Sequence, residues 1–406
     1  MPLRVWLSTR FFLFFLTWSS YLSYWGVWLL ASGFRATQVT MVVTVGLVAR
    51  SLSIAFLYPP LCRLTSLRRL SRLLVWTAAG LSTLYLTDPG FWPMIAVSVL
   101  VGMAYPLLMP LSETLATMGA ADGHVDYGSV RYFGSAGFIV GLGIAGGIER
   151  QFGDTALVYV FVVGCSAMAL ADLVRPSKFP EGHTAVAGGG RRRLLRQPGY
   201  ALALGNSVLL QGAHAAYYAF GAEYFRTLGV SSVQVSLMLA LAVACELLLF
   251  KYAGRLLGRR SVPVLFAAAA AISLLRWGLL AVPVPVAVVV LTQTLHAGTF
   301  ALTHIAHARS VQEHVPKHLW ATAHGLYAAL AISLGVAAVT TVTGPLYAIS
   351  PHWAFLCMAA VCLPCLWLAR VQARAFAGAG PGPMDGAEDS SRSVGAAEAS
   401  DPAVRP

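Results

Sequence analysis

The chain has 406 residues, 57% of them hydrophobic and 11% charged, with a mean hydropathy of +0.70. Such values exclude a water-soluble globular domain and describe a polytopic membrane protein. The formal charge of +12, from 28 Lys and Arg against 16 Asp and Glu, marks membrane orientation rather than a nucleic-acid footprint, because it is distributed unevenly between the two sides.

Apolar stretches of the length a helix needs to cross the hydrocarbon, about 17 to 25 residues, recur along the chain. Twelve are predicted, at 11–30, 39–58, 73–87, 91–112, 128–148, 155–172, 201–222, 233–250, 262–281, 284–304, 322–343 and 352–370. The third is short and is bounded by "TDPG". With both termini cytoplasmic, the inside segments hold 22 of the 28 Lys and Arg; Arg35, Arg150 and Arg226 lie outside, and Arg50, Arg131 and Arg276 fall in or beside spans. This is the positive-inside pattern. The runs "RRLSR" (68–72) and "RRRLLR" (191–196) read as cytoplasmic anchors near anionic headgroups. No small-residue cleavage pattern follows the first stretch, so it is expected to stay as a span. Cys165, Cys245, Cys357, Cys362 and Cys365 lie in spans and Cys62 at an edge, which suits packing better than disulfides or a metal.

In chain order, the first span offers Tyr21, Tyr24, Trp25 and Trp28, a flat apolar wall for a ligand or an interfacial belt. The second, "VTVGLVARSLSIAFLY", carries Arg50 at its centre, where a charge costs about 2.5 kcal/mol or more unless offset or used. Glu113 closes the fourth span, and Asp126 and Arg131 open the fifth. These groups fit either a ligand site inside the bundle or a salt bridge at its edge. The run "GSAGFIVGLGIAGG" sets Gly137 four before Gly141 and Gly143 four before Gly147, the spacing for close helix approach. Residues 173–200, rich in Pro, Gly and Arg, separate an N-terminal six-helix bundle (1–172) from a C-terminal one (201–374).

The second half places Gln211, His214, Tyr217, Tyr218 and Phe220 on the seventh span and Glu246 on the eighth. Arg276 follows on the ninth, and His296, Thr299, His304 and His307 on the tenth and just beyond it. His296 and His307 share a helix face; His304 and His307 read as packing residues, and His296, facing an arginine on the neighbouring span, as functional. The tail from 375, rich in Gly, Ala, Pro and Ser, has too few apolar residues to fold.

An offset of 196 residues lays "GFRATQV" (33–39) on "GVSSVQV" (229–235), Gly102 on Gly298 and Tyr21 on Tyr217. This points to duplicated six-helix bundles with a binding site between them. The same offset lays Arg50 on Glu246, which are either a structural ion pair, or charges with a separate local partner each, or two groups facing a shared aqueous cavity.

The strings "GLVARSLS", "VDYGSVRYFGSAGF", "LLQGAHAAYYAF", "ACELLLF", "LRWGLL" and "LHAGTFALTH" resemble the 3-phenylpropionate transporter family of the major facilitator superfamily, over about residues 8 to 370. More distantly the chain is similar to lactose permease-like proton symporters. The resemblance implies an all-α membrane protein, twelve helices in two pseudo-symmetric six-helix bundles around a central cavity. It implicates Glu113 and Arg131 in substrate binding and Glu246 in linking substrate to proton, with Arg276 and His296 beside it. That branch has a proton-carrying glutamate where this chain has Thr299, so coupling falls to Glu246, Glu113 or a histidine, or is absent. Glu246 is favoured, because burial stabilises the neutral acid while a nearby arginine stabilises the carboxylate.

The reading is a secondary transporter, a proton-coupled symporter for a small aromatic carboxylate such as 3-phenylpropionate. Tyr21, Tyr24, Gln211, His214, Tyr217, Tyr218, Glu113 and Arg131 are its candidate substrate residues, and Arg50, Glu246, Arg276 and His296 its coupling residues. An arginine suits the carboxylate because its planar fork donates two hydrogen bonds. Its partners are the small-molecule substrate, the proton and the lipid bilayer of a bacterial inner membrane, with no cofactor, metal or nucleic acid, and it is expected to act as a monomer. The same fold carrying a nucleoside, sugar or exported compound is the alternative. A membrane receptor or enzyme is the third reading, and against an enzyme stands the absence of G-x-S-x-G, HExxH or P-loop motifs.

Overall fold

A computed structural model of the chain describes residues 1–87, 90–174, 176, 177, 179, 190–316 and 319–377. Residues 180–189 of the inter-bundle segment and the tail beyond 377 lie outside these, and with them most of the segment expected not to fold. Among the described residues all regular structure is helical.

The first half comprises α1 (Leu3–Ser23), α2 (Trp25–Ala31), α3 (Ala36–Leu64), α4 (Leu67–Thr83), α5 (Phe91–Ala121), α6 (Tyr127–Phe152) and α7 (Asp154–Ala171). A short helix α8 (Arg191–Leu195) precedes the second half. There follow α9 (Pro198–Gly212), α10 (Ala215–Thr227), α11 (Ser232–Leu257), α12 (Val262–Leu280), α13 (Val286–His314), α14 (Thr322–Ile349) and α15 (Pro351–Ala377). Nine helical stretches among the described residues are long and apolar enough to cross a membrane. The three other spans expected from the sequence are helical too: α1 and α2, broken at Tyr24; α4; and α9 and α10, broken at Ala213 and His214. The helices form two bundles, α1–α7 and α9–α15. The last helix continues through Ala377, three residues into the segment expected to lack structure.

The internal repeat has a physical basis at its best-matched motif. Gly33 and Gly229 both adopt positive φ, 87° and 80°, where a side chain would strain the turn. Five residues on in each half, a glutamine side chain accepts the backbone N–H three residues before it: Gln38 Oε1 from Arg35 at 2.9 Å and Gln234 Oε1 from Ser231 at 3.0 Å. The shared Gly and Gln thus end one helix and start the next in both bundles. Gly102 and Gly298 match less well, since the first abuts Gly46 and the second Ile272.

Small residues let α6 lie against α1 as expected, but only in part. A Cβ on Gly137 or Gly141 would run into the backbone of Phe12 or Leu16. Gly143 and Gly147 face open space instead, and it is Gly146 that packs on Ser232 and Ser236 of the other bundle.

Successive spans run in alternate directions, so the turns at 65–66, 122–126 and 258–261 fall at one end of the molecule, called the basic end for Arg63, Arg68, Arg69, Arg255, Arg259 and Arg260 beside them. The opposite, distal end is where the bundles close on each other. There Tyr24 Oη and Ser236 Oγ lie 2.6 Å apart, and Ser236 donates to the Leu142 carbonyl at 2.9 Å. Arg226 reaches across to Asp154 at 2.8 Å and Glu149 at 3.3 Å, and pairs with its neighbour Glu223 at 3.4 Å. Toward the basic end, α3 touches α14 where Ser51 donates to the Ala329 carbonyl at 2.8 Å.

Candidate functional site: a charged cavity between the bundles

Between the bundles lies a cavity of about 150 Å³. Phe15, Trp18 and Arg131 line it from the first bundle, and Tyr218, Glu246 and His296 from the second. A larger groove of about 490 Å³ opens on the outer face beside Arg68, Arg69 and Arg72. It holds neither a carboxylate nor a histidine, so the chemistry belongs to the central cavity.

On the second-bundle side, adjacent helices bring the expected polar groups into one network. Arg276 on α12 is fully buried, its guanidinium between the rings of Tyr217 at 4.5 Å and Trp277 at 4.4 Å. Its Nη1 donates to His296 Nδ1 at 2.9 Å and to Thr299 Oγ1 at 3.1 Å, and its Nη2 to Gln293 Oε1 at 3.5 Å. A guanidinium only donates, so Nδ1 of His296 is the acceptor and the neutral ring carries its proton on Nε2. That nitrogen faces Glu246 Oε2 at 3.6 Å.

Thr299 takes a defined part in this network. The break between α9 and α10 turns the His214 backbone N–H to the Gln211 carbonyl, and the His214 ring instead meets the Leu210 carbonyl at 3.0 Å. A carbonyl only accepts, so Nδ1 of His214 holds the proton and Nε2 accepts from the Thr299 hydroxyl at 3.0 Å. The threonine that stands in place of a glutamate therefore relays a hydrogen bond from Arg276 to His214. Tyr217 donates to Gln293 at 3.0 Å and Gln211 to the Tyr327 hydroxyl at 2.9 Å, which also contacts His304 Nδ1 at 3.1 Å. His307 stacks on Tyr327 at 4.3 Å and lies 3.3 Å from Ser207. A π turn, Ala297–Ala301, follows His296 directly and contains Thr299, and another begins at Tyr327; such turns gather at functional positions.

On the first-bundle side, Arg131 Nε donates to Glu113 at 3.0 Å, with side chains 31% and 29% exposed, and the Tyr127 hydroxyl donates to the same carboxylate. The pair is thus half-exposed, as an edge salt bridge would be, and yet Arg131 lines the cavity and lies 4.5 Å over the Phe15 ring. Asp126 takes no part: its carboxylate accepts the Ser129 N–H at 2.6 Å and caps α6. Arg50 lies 4.9 Å from the Trp18 ring, which packs on Tyr21 at 5.8 Å and Tyr105 at 6.0 Å. Among the described residues it makes no ion pair with Glu246, whose partner is His296. Of the readings offered for the two charges, the mutual ion pair is not found among the described residues, Glu246 has His296 as a local partner, and of the two only Glu246 lines the cavity.

The aromatic wall also differs from expectation. Tyr24 is fully buried at the distal contact, away from the cavity. Trp25 and Trp28 are buried against Tyr85 in the first bundle, and Phe220 stacks on Tyr347 at 4.0 Å. Tyr21 belongs to an aromatic cluster with Phe161 at 4.8 Å, beside Arg50 rather than on the cavity wall. The rings that line the cavity are Phe15, Trp18, Phe138 and Phe300, with Tyr217 and Tyr218. Sequence reasoning missed the first four and Gln293. Their only signal was the spacing of Phe15 and Trp18, one turn apart.

The chain matches the MFS_1 like family over residues 4–357. It is similar to the probable 3-phenylpropionic acid transporter of Escherichia coli (strain K12), 29% identical over 377 residues, or 89% of this chain and 96% of that protein. It is also similar to the maltose permease of Geobacillus stearothermophilus, 27% identical over 272 residues, 66% of this chain and 68% of the other. Among solved structures, the nucleoside transporter NupG superposes with a TM-score of 0.74 at 18% identity, covering 93% of this chain and 99% of that one. A bacterial homologue of the human lysosomal transporter Spinster gives 0.75 at 11% identity, covering 92% and 97%. At such identities the solved structures speak for the fold alone, and all of these proteins are transporters, none an enzyme. Because the family match runs through both bundles and the cavity between them, the chain belongs to the MFS_1 like family and is a multi-pass membrane transporter of the major facilitator superfamily.

Proposed function

We propose that the protein is a secondary active transporter that takes up a small aromatic carboxylate, such as 3-phenylpropionate, together with a proton by alternating access. The observation that carries this reading is Glu246, a carboxylate on the cavity wall, 19% exposed, beside His296, whose Nδ1 already accepts from Arg276. Other proton carriers are disfavoured by their bonding. His296 would have to give up Arg276 to gain a second proton, both nitrogens of His214 are engaged, and a threonine hydroxyl does not titrate. Glu246 remains.

Coupling then follows from electrostatics. Two unscreened negative charges in a cavity of this size repel strongly, because little water separates them. A substrate carboxylate therefore binds well only when Glu246 is neutral, so substrate and proton enter together. Opening to water on the other side lets Glu246 give up its proton, and the repulsion that returns between the two carboxylates expels the substrate with it. The bundles 1–172 and 201–374 rock about the cavity, with 173–200 as their link, and the basic end and both termini face the cytoplasm of a bacterial cell. The distal closure corresponds to a state sealed from outside. The unit of transport is the monomer.

The test is uptake of labelled 3-phenylpropionate, a nucleoside and maltose into membrane vesicles, with and without a protonophore. Protonophore-sensitive accumulation of the aromatic acid alone is expected. Accumulation of the nucleoside or sugar in its place would contradict the reading.

A further inference from the structure

Three arginines lie at or beside the cavity, and they differ in what they already hold. Arg131 is paired with Glu113, which also takes the Tyr127 hydroxyl. Arg276 is fully buried and its Nη groups are occupied by His296, Thr299 and Gln293. Arg131 bonds Glu113 through Nε alone, but that carboxylate already neutralises its charge, and a substrate carboxylate would have to displace existing bonds to reach the Nη groups of Arg276.

Arg50 holds nothing of this kind. Among the described residues it forms no ion pair and no side-chain hydrogen bond, and its Nε is buried without an acceptor. Its surroundings are aromatic: it lies 4.9 Å over the ring of Trp18, which packs in turn on Tyr21 at 5.8 Å and Tyr105 at 6.0 Å. A ring face offsets part of a cation's lost hydration, on the order of 2 kcal/mol when desolvated. The full penalty is several kcal/mol. Among the described residues no anion offsets the rest at the buried Nε. Arg50 does not itself line the cavity, but the Trp18 ring under its guanidinium does, with Tyr218 on the same wall.

We propose that Arg50 binds the carboxylate of the substrate, with Trp18 and Tyr218 as the wall beside it, and that the Arg131–Glu113 pair is not the headgroup site. The geometry separates the two charges of the cycle. The substrate's carboxylate sits at Arg50 on the first bundle, and Glu246 stands on the second, on the wall of the cavity that the Trp18 ring beside Arg50 also lines. An anion at Arg50 therefore reports to Glu246 across the interface that moves. The proposal rests on the carboxylate reading given above, and the experiment distinguishes their failures.

Purified protein is titrated with 3-phenylpropionate and with its uncharged amide, and its melting temperature is measured with and without each. The wild type is expected to prefer the acid. Arg50→Met is expected to weaken acid binding by roughly tenfold or more while leaving the amide unchanged, the usual cost of losing one partner of a desolvated charge pair. Its ligand-free melting temperature stays level or rises, because the cation removed had no partner. Arg50→Lys recovers part of the acid preference, and Arg131→Met keeps it. A wild type with no preference for the acid overturns the carboxylate reading and the proposal together. Acid preference that survives in Arg50→Met, or is lost in Arg131→Met, overturns the proposal alone. So does an Arg50→Met protein that melts well below the wild type or cannot be obtained folded, since that marks Arg50 as a structural charge.

Discussion

Glu246 Oε2 lies 3.6 Å from Nε2 of His296, and the other nitrogen of that ring accepts a hydrogen bond from the buried guanidinium of Arg276 at 2.9 Å. The imidazole thus stands between a carboxylate that can gain a proton and a cation that cannot lose one. It holds the Nε2 proton toward Glu246 whatever the charge of Glu246, which makes the histidine a positioning group for the carboxylate. Four expectations follow from this arrangement and the contacts around it.

Thr299→Ala removes the hydroxyl that accepts from Arg276 and donates to His214. Both partners are buried and lose a bond, at a cost of about 1 to 3 kcal/mol. Thr299→Ser, which keeps the hydroxyl, is expected to restore most of it. Thermal melting of the purified variants distinguishes them; an alanine variant as stable as wild type would show that the relay carries no weight.

Arg226→Gln leaves Glu149, whose side chain is 1% exposed, without its cation at the distal contact. Because Arg226 itself is 30% exposed, the loss is expected at about 1 to 3 kcal/mol, below that of breaking a fully buried pair. Adding Glu149→Gln neutralises the orphaned carboxylate and should recover stability. Non-additivity of this sign in a double-mutant cycle is the readout, and simple additivity would argue against the pairing.

Arg131→Lys keeps the charge at the mouth of the cavity but loses the Nε bond to Glu113 and the flat stack on Phe15. Transport should fall severely while expression changes little. Uptake equal to wild type across the substrate panel would reduce the pair to a surface salt bridge.

The fold was legible because hydropathy reports spans and basic loops report sides, neither of which depends on tertiary contact. The repeat was legible at Gly33 and Gly229, and at Gln38 and Gln234, because turns and caps need particular residues. The cavity wall was not. Phe15 and Trp18 lie in a helix that is apolar on most of its surface, so no polar face marks which side looks inward. Tyr24 shows the same difficulty from the other side: a tyrosine in a span needs a hydrogen-bond partner, and the sequence does not say that the partner is Ser236 of the other bundle. Arg276 and His296 were paired correctly since neighbouring antiparallel spans place them at one depth. Arg50 and Glu246 share a place in the repeat, but pseudo-symmetry sets residues across from each other in separate bundles and makes no contact between them.

The most direct measurement is of Glu246→Gln in membrane vesicles, comparing proton-driven accumulation with energy-independent exchange of labelled substrate. The amide imitates the protonated acid and cannot release a proton, so accumulation should fall to simple equilibration while exchange persists. Adding Arg50→Gln should not bring accumulation back, because the two residues are not partners. Accumulation by Glu246→Gln at the wild-type level, or its recovery in the double variant, would contradict the assignment of Glu246 as the coupling group.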